Sequence, residues 1–418
     1  MLIGFDGSRA FASRRTGTEN YSYQLLKGLA KIDKRNKYIV YLRVGIDSVI
    51  ARSETTKQSQ KGLPGLLESP LDSLRARNDE SRWPKNFTFK EINWPRVWTQ
   101  GGLGIQTFIE DLHILFVPSH TLPIIRKPGL KTVMTVHDLG AEYLPKMHQL
   151  KQQLYLKYIT KYQLTSATKL IAVSKATMKD LVEKVGVDEK KISVVYEGYD
   201  KELFDIVSSK GRSSSGRSLM PFFLFVGTVQ PRKNLARLIQ AFSLFVDRYS
   251  LGSDEKRKTK NEFNLVIVGL KGWMSEEIYE LPKKLGIEKR VKFMGFVPDK
   301  DMPRFYSNAL GLIFPSLFEG FGLPILEAQA CGCPVLTSNI SSMPEIAGYV
   351  RVNRTVAGKG AILVDPYSVE SITDGMIKIM DKKIRDNLIK NGYENVKKFS
   401  WEKAAKETLK ILEGVANG

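Results

Sequence analysis

Two carboxylates in a glycine-bearing turn are the residues best placed to do chemistry. They lie in Phe314-Pro-Ser-Leu-Phe-Glu-Gly-Phe-Gly-Leu-Pro-Ile-Leu-Glu327. An apolar run of strand type, Leu310 to Phe314, precedes the turn, and a helical run, Leu323 to Cys331, follows it. Gly320 and Gly322 let the backbone approach a ligand closely, and an open helix end offers N–H groups to an anion. Pro324 suits the first helical turn, where a missing N–H costs nothing. Glu319 falls in the loop and Glu327 one helical turn in, so both can face one crevice. That layout suits a phosphorylated ligand whose phosphates meet the helix end while the acids accept hydrogen bonds from hydroxyls. The alternative is a buried strand-to-helix turn with two surface glutamates.

Two further loops carry candidate groups. Gly227-Thr-Val-Gln-Pro-Arg232-Lys233-Asn234 joins the strand Pro221 to Val226 to a helix from Leu235. Two cations beside a helix start favour a pyrophosphate, by charge and by N–H groups together; ordinary surface basics are the alternative. Lys131-Thr-Val-Met-Thr-Val is an apolar strand ending in His137-Asp138. A lone His is more often a structural hydrogen-bonder, but ligands of open α/β sheets bind at the carboxyl ends of strands, which raises the case for a functional His137. Asp138 is read as orienting the loop.

These elements must be positioned by a larger frame. With 418 residues the chain is too long for one compact core and predicts two domains. No apolar run approaches the ~20 residues that span a bilayer. The start, Met1-Leu-Ile-Gly-Phe-Asp, enters a strand directly, so a cytoplasmic location is expected. Cys331 and Cys333 are one residue apart with no nearby His, a poor zinc pattern, and read as small buried residues. The net charge of +20 is spread along the chain, +11 over residues 1–200 and +9 over the remainder, so no single basic tail accounts for it. Such a surface suits nucleic acid, an anionic membrane or small anions. No nucleic-acid-binding motif accompanies it, and a membrane-surface acceptor fits better.

Strands and helices alternate throughout. Leu2 to Asp6, a loop holding Gly17, and a helix from Glu19 to Lys31 open the chain as an α/β nucleotide-type unit. Strands are predicted at Tyr38–Arg43, Phe87–Ile92, His113–Val117, Lys169–Val173 and Ile192–Tyr196. Ser174 caps a helix reaching Val185, and residues 47–85 read as a long loop. The Lys- and Tyr-rich helix Leu150–Thr165 could rest on a membrane surface or be a solvated face with a tyrosine packing stripe. Trp83, Trp94 and Trp98 could line an acceptor site, though core packing is the commoner role. The Ser-, Gly- and Lys-rich stretch 205–219 marks a linker. Beyond it, strands and helices alternate again to an amphipathic helix, Trp401 to Leu412.

Glu319-Gly-Phe-Gly-Leu-Pro-Ile-Leu-Glu327 closely resembles the Glu-seven-residues-Glu signature of retaining glycosyltransferases of the GT-B fold, the large family 4-like group. Val136-His137-Asp138, the donor-phosphate loop around Lys233, and Gly295-Phe296-Val297-Pro298 resemble three more of its loops. The resemblance implies two Rossmann-like, doubly wound α/β domains facing each other across a cleft: residues 1–204, with 402–418 crossing back, and 205–401. It implies transfer of a hexose, mannose favoured, from a nucleotide-diphosphate sugar, GDP-mannose favoured, to a glycan or lipid-linked acceptor, with retention. By position, Glu319 and His137 serve the reacting sugar, Glu327 the ribose, and Arg232 and Lys233 the phosphates. Gly17, Phe296, Val297, Gly320, Phe321, Gly322 and Leu323 line the donor. Relatives commonly carry Arg where this chain has Thr228, so Arg232 either replaces that cation or points elsewhere. They also commonly carry Asn where this chain has Glu197, which is therefore given no role. No Asp-x-Asp pair suited to a metal is read, so no metal and no cofactor are expected. The same fold hosts epimerases and phosphorylases, which stay open as alternatives, as does a basic binding protein for nucleic acid or membrane. Peripheral contact with the inner face of an anionic membrane is expected, and nucleic acid is not.

Overall fold

The computed structural model describes residues 1–12, 17–43, 83–94, 96–119, 121–139, 150–204, 220–250, 263–352, 355–357 and 360–418. The expected loop at 47–85 and the linker at 205–219 lie almost wholly outside these residues. The chain divides into two compact units, Met1–Gly198 with Trp401–Gly418, and Tyr199–Ser400.

In the first unit seven strands form one sheet, in the order β3-β2-β1-β4-β5-β6-β7. They are β1 (Leu2–Asp6), β2 (Lys37–Arg43), β3 (Phe87–Ile92), β4 (Ile114–Val117), β5 (Lys131–Val136), β6 (Lys169–Ala172) and β7 (Ile192–Val194). All neighbours are parallel. Helices cover both faces of such a sheet, so its strands can be apolar on both sides. Ile114-Leu-Phe-Val117 is buried at every position. The helix α1 (Gly17–Ile32) lies against the C-terminal helix, here α12 (Trp401–Asn417). Their contact is close because Gly28 has no side chain: a Cβ there would stand 2.8 Å from the Ala405 Cβ. The Tyr21 and Trp401 rings meet edge to face at 5.7 Å, and Arg35 donates to Glu413 at 2.8 Å.

The second unit has a six-stranded sheet ordered β10-β9-β8-β11-β12-β15. Its strands are β8 (Phe222–Val226), β9 (Asn264–Val268), β10 (Val291–Gly295), β11 (Gly311–Phe314), β12 (Val335–Ser338) and β15 (Ile362–Val364), again all parallel. Numbered from its own first strand, this is the 3-2-1-4-5-6 order of a doubly wound dinucleotide-type sheet. A small antiparallel ribbon, β13 (Val350–Val352) with β14 (Thr355–Ala357), was not expected. In such sheets strand order reverses between the first and fourth strands, and ligands bind outside the carboxyl ends there. In the second unit that point lies between β8 and β11, in the first between β1 and β4.

Some expected helices change character. The run from Lys175 to Val185 is α-helical only to Asp180 and finishes as a π-turn, Leu181–Val185, closed by Gly186 at φ 79°. Ser174 caps it as expected, its side chain accepting from the Thr177 N–H at 3.0 Å. Trp83, partly buried, joins Phe11, Phe87 and Phe89 in an aromatic cluster, and Trp98 is buried in the core. Trp94 is partly exposed beside Gly101.

Candidate active site

At the reversal point of the second sheet, the loop after β8 and the loop after β11 are bonded to each other. After β8 the chain makes a 3₁₀ turn, Pro231–Lys233, then enters the left-handed region at Asn234 (φ 60°) before helix α5 (Leu235–Ser250). Asn tolerates that conformation better than most residues. Its buried amide also donates to the carbonyls of Pro315, at 3.0 Å, and Pro366, at 2.7 Å. One side chain thus ties the first loop to the second. The Leu317 N–H donates to the Arg232 carbonyl at 2.9 Å, a second tie.

These ties aim both cations at one carboxylate. Lys233 Nζ donates to Glu319 Oε1 at 2.6 Å, and Arg232 Nη1 donates to Glu319 Oε2 at 3.0 Å and to the Phe318 carbonyl at 2.8 Å. Glu319 is only 7% exposed. Burial by itself would raise its pKa, but the charges of Lys233 and Arg232 outweigh that and hold it below the usual value. The site is therefore two cations against one fixed anion, net positive, with its polar groups already oriented. Arg232 belongs to this cluster, although Thr228 leaves the position after Gly227 uncharged.

The glycine loop is pinned from its other side. Ser341, itself left-handed at φ 57°, donates to the Glu319 carbonyl at 2.7 Å. Ser342 donates to the carbonyls of Glu319, at 2.9 Å, and Phe321, at 2.8 Å. Gly322 adopts φ 107° as the residue capping helix α8 (Leu323–Ala330), a conformation that favours glycine. Phe321 is buried and packs edge-on against Phe399. Leu323 and Pro324 occupy the first helical turn.

Glu327 lies one turn into α8 and does not share the cations of Glu319. Its Oε2 accepts from the Tyr306 hydroxyl at 2.7 Å. Burial is the main reason its pKa is pushed up to about 7, with Asp299 and Asp200 adding to the rise and the Tyr306 bond opposing it. The two acids of the turn therefore sit in opposite electrostatic settings. Phe296, for which core packing was an equal alternative, is 56% exposed, after β10 and next to Gly295 at φ 68°. Val297 is half-buried. Cys331 and Cys333 are buried free thiols, and burial pushes Cys331 up to about 12, which makes it unreactive. Asp299 and Asp301 have the Asp-x-Asp spacing. They occupy one 3₁₀ turn, and among the described residues no group of three or more His, Cys, Asp or Glu is gathered to hold a metal ion.

In the first unit, His137 follows β5 at the carboxyl edge of its sheet. Nδ1 lies 3.3 Å from Glu197 Oε1 and Nε2 3.0 Å from the Pro118 carbonyl. The Tyr21 ring stands edge-on at 4.6 Å. Glu197 is 4% exposed, so its lack of a role in the sequence reading is corrected: it is the buried partner of His137. Gly17 begins α1, and a Cβ there would meet nothing within 4 Å. Asn234, Ser341, Ser342 and Tyr306, which bond to the candidate residues or their loops, were given no role from the sequence, and Glu197 was noted there only as a departure. Asn directly before a helix was the one readable signal among them.

The glycosyl transferases group 1 family profile matches residues 212–395, and the glycosyltransferase family 4 profile matches residues 93–203. The chain belongs to the family 4-like glycosyltransferases of the GT-B fold. This glycosyltransferase is 27% identical, over 67% of its length and 69% of the relative's, to O-antigen chain mannosyltransferase B of Escherichia coli. It is 29% identical to the O-antigen chain mannosyltransferase RfbU of Salmonella typhimurium, over 54% of this chain and 56% of that one. A sucrose-phosphate synthase from Thermosynechococcus elongatus superposes with a TM-score of 0.70 at 17% identity, covering 99% of both chains. At that identity the likeness is one of fold. No described helix is long and apolar enough to cross a membrane.

Proposed function

We propose that this glycosyltransferase moves a hexose, mannose by preference, from a nucleotide-diphosphate sugar to a glycan or lipid-linked glycan, without a metal and with retention at the anomeric carbon. The observation that carries the reading is the Arg232–Glu319–Lys233 cluster at the strand-order reversal of the second sheet. A departing nucleotide diphosphate needs positive charge at its phosphates. Fixed cations supply it without reorganising during the reaction. Glu319, already oriented and ionised, is the group that accepts from sugar hydroxyls and faces the developing positive charge of an oxocarbenium-like sugar. Glu327 accepts from the ribose, and the exposed Phe296 with Val297 borders the base. His137 is the further residue proposed to serve the sugar. The preference for mannose is supported by the names of the two relatives, both mannosyltransferases; GDP-mannose is the donor proposed with it.

The acceptor reading draws on a surface of the first unit. Ile105, Phe108, Ile109, Ile125, Tyr158 and Tyr162 are all exposed. The segment bearing Ile125 is tied to the helices Gly104–Ile109 and Leu150–Ser166: Lys127 N–H donates to Thr107 at 2.9 Å, and Arg126 donates to the Ser166 carbonyl at 2.9 Å. Apolar and aromatic tips interleaved with Arg126, Lys127 and Lys161 suit an anionic bilayer surface, where a lipid-linked acceptor would be met. A cytoplasmic enzyme in peripheral contact with the inner leaflet follows from that reading.

The test is transfer from GDP-mannose to membrane-derived glycan acceptor, with donor alone as control. Wild type transfers only when acceptor is present, and Glu319→Ala and Lys233→Ala lose transfer by at least a hundredfold. Product formation without acceptor indicates an epimerase. Unchanged turnover in both variants removes the site.

A further inference from the structure

Both neighbours of the His137 ring nitrogens are acceptors. Glu197 offers a carboxylate oxygen to Nδ1, and Pro118 offers a carbonyl oxygen, which has no proton to give, to Nε2. A singly protonated ring would turn a lone pair toward one of these oxygens. The ring has little room to turn elsewhere: its side chain is 12% exposed, and that of Glu197 is 5% exposed. Its backbone is held too, since the Thr177 hydroxyl donates to the His137 carbonyl at 3.1 Å. Tyr21, from α1, presents its ring edge-on, and the Tyr21 hydroxyl is paired with Thr135 Oγ1 at 3.2 Å, so it supplies no proton to the histidine.

We infer that Glu197 is a positioning residue: it fixes His137 with a proton on each ring nitrogen, so that His137 acts as a hydrogen-bond donor through Nε2 and not as a general base. This rests on the reading above only in assigning His137 to the transfer reaction; the protonation of the ring does not depend on it. A donor's hydroxyl oxygen can replace the Pro118 carbonyl as the acceptor of Nε2–H with no net proton movement. An attacking acceptor hydroxyl finds no lone pair on this ring, so its proton must leave by another route. The groups facing the ring are Glu197, from the loop after β7, Tyr21, the Pro118 carbonyl after β4, and Asp138 next in the chain. Burial disfavours the charged ring, but Glu197 foremost, then the Pro118 carbonyl and Asp138, outweigh it and raise the pKa above the ordinary histidine value.

The experiment is NMR of the histidine Cε1–H resonances in the full chain without ligand, with His137 assigned by comparison with His137→Asn. In wild type the His137 signal keeps its imidazolium position at pH 7.5. In Glu197→Gln it moves to the neutral position by pH 7.5, and Glu197→Asp restores the wild-type position. A wild-type His137 that titrates near 6.5 like a free histidine overturns the inference, and that measurement stands even if the variants fold poorly. The second readout is the pH profile of transfer from GDP-mannose. Glu197→Gln should lose at least tenfold in kcat between pH 6 and 8, while wild type shows no such limb. A profile unchanged by Glu197→Gln, with the ring protonation changed, keeps the charge assignment and removes the role in catalysis. Absence of transfer in every variant and in wild type overturns the transferase reading and leaves the NMR result intact.

Discussion

Replacing Glu327 by Gln should stabilise the protein above neutral pH while weakening its donor binding. Glu327 is held at about 7 against an ordinary value of 4.5, chiefly by burial. The native state therefore keeps a proton between pH 4.5 and 7 that the unfolded chain has released. Stability then falls as pH rises through that window and levels off above 7. At 1.36 kcal/mol per pKa unit, the full displacement costs on the order of 3 kcal/mol at pH 8. Gln carries no charge to desolvate and can still accept from the Tyr306 hydroxyl, which now donates at 2.7 Å. The melting temperature of Glu327→Gln should therefore match wild type near pH 5 and exceed it by about 6–12 °C at pH 8, at 2–4 °C per kcal/mol. Differential scanning calorimetry of both proteins across this range reads the difference directly. The same charge is what the ribose hydroxyls would bond, so wild-type affinity for GDP should rise as pH passes 7. The variant should bind about tenfold more weakly at pH 8, as expected for loss of a charged hydrogen bond. A melting difference that does not change between pH 5 and 8 refutes the electrostatic account.

Three other outcomes follow from the same geometry. Glu319→Gln leaves Arg232 and Lys233 without their counter-charge, so GDP affinity by calorimetry should increase several-fold while transfer is lost; equal weakening by Glu319→Gln and Lys233→Ala contradicts the division of roles. Asn234→Ala strands two buried carbonyls and loses a residue suited to its left-handed backbone, which should cost about 2–4 kcal/mol in urea unfolding. Serine at Phe108, Ile109 and Ile125 together should abolish co-sedimentation with phosphatidylglycerol vesicles and leave melting within a degree or two of wild type, since all three are exposed.

Much of the frame was readable because each strand of a covered parallel sheet is apolar along its whole length. Phe222-Phe-Leu-Phe-Val226 and Leu312-Ile-Phe314 declare themselves without a partner in view. The glycine turn was equally plain, since Gly322 and Pro324 have local conformational meaning. Element ends were less legible. The Lys175 helix closes through a π-turn whose Leu181 and Val185 lie in the core, with no Gly or Pro before Gly186 to announce it.

The sequence alone determined which groups exist near strand ends: two acids in one turn, two cations in another, one histidine in a third. Only the tertiary structure decided their pairings. Strand order puts β8 beside β11, which brings Arg232 to Glu319 across 87 residues and lets Asn234 hold Pro315 and Pro366. The same closure makes Glu319 a salt-bridged carboxylate and leaves Glu327, in the same short motif, near neutrality with a tyrosine. It also gives His137 a glutamate partner 60 residues away. Charge state depends on burial and on the charges within a few ångströms, and those are properties of the folded neighbourhood, not of position in the chain.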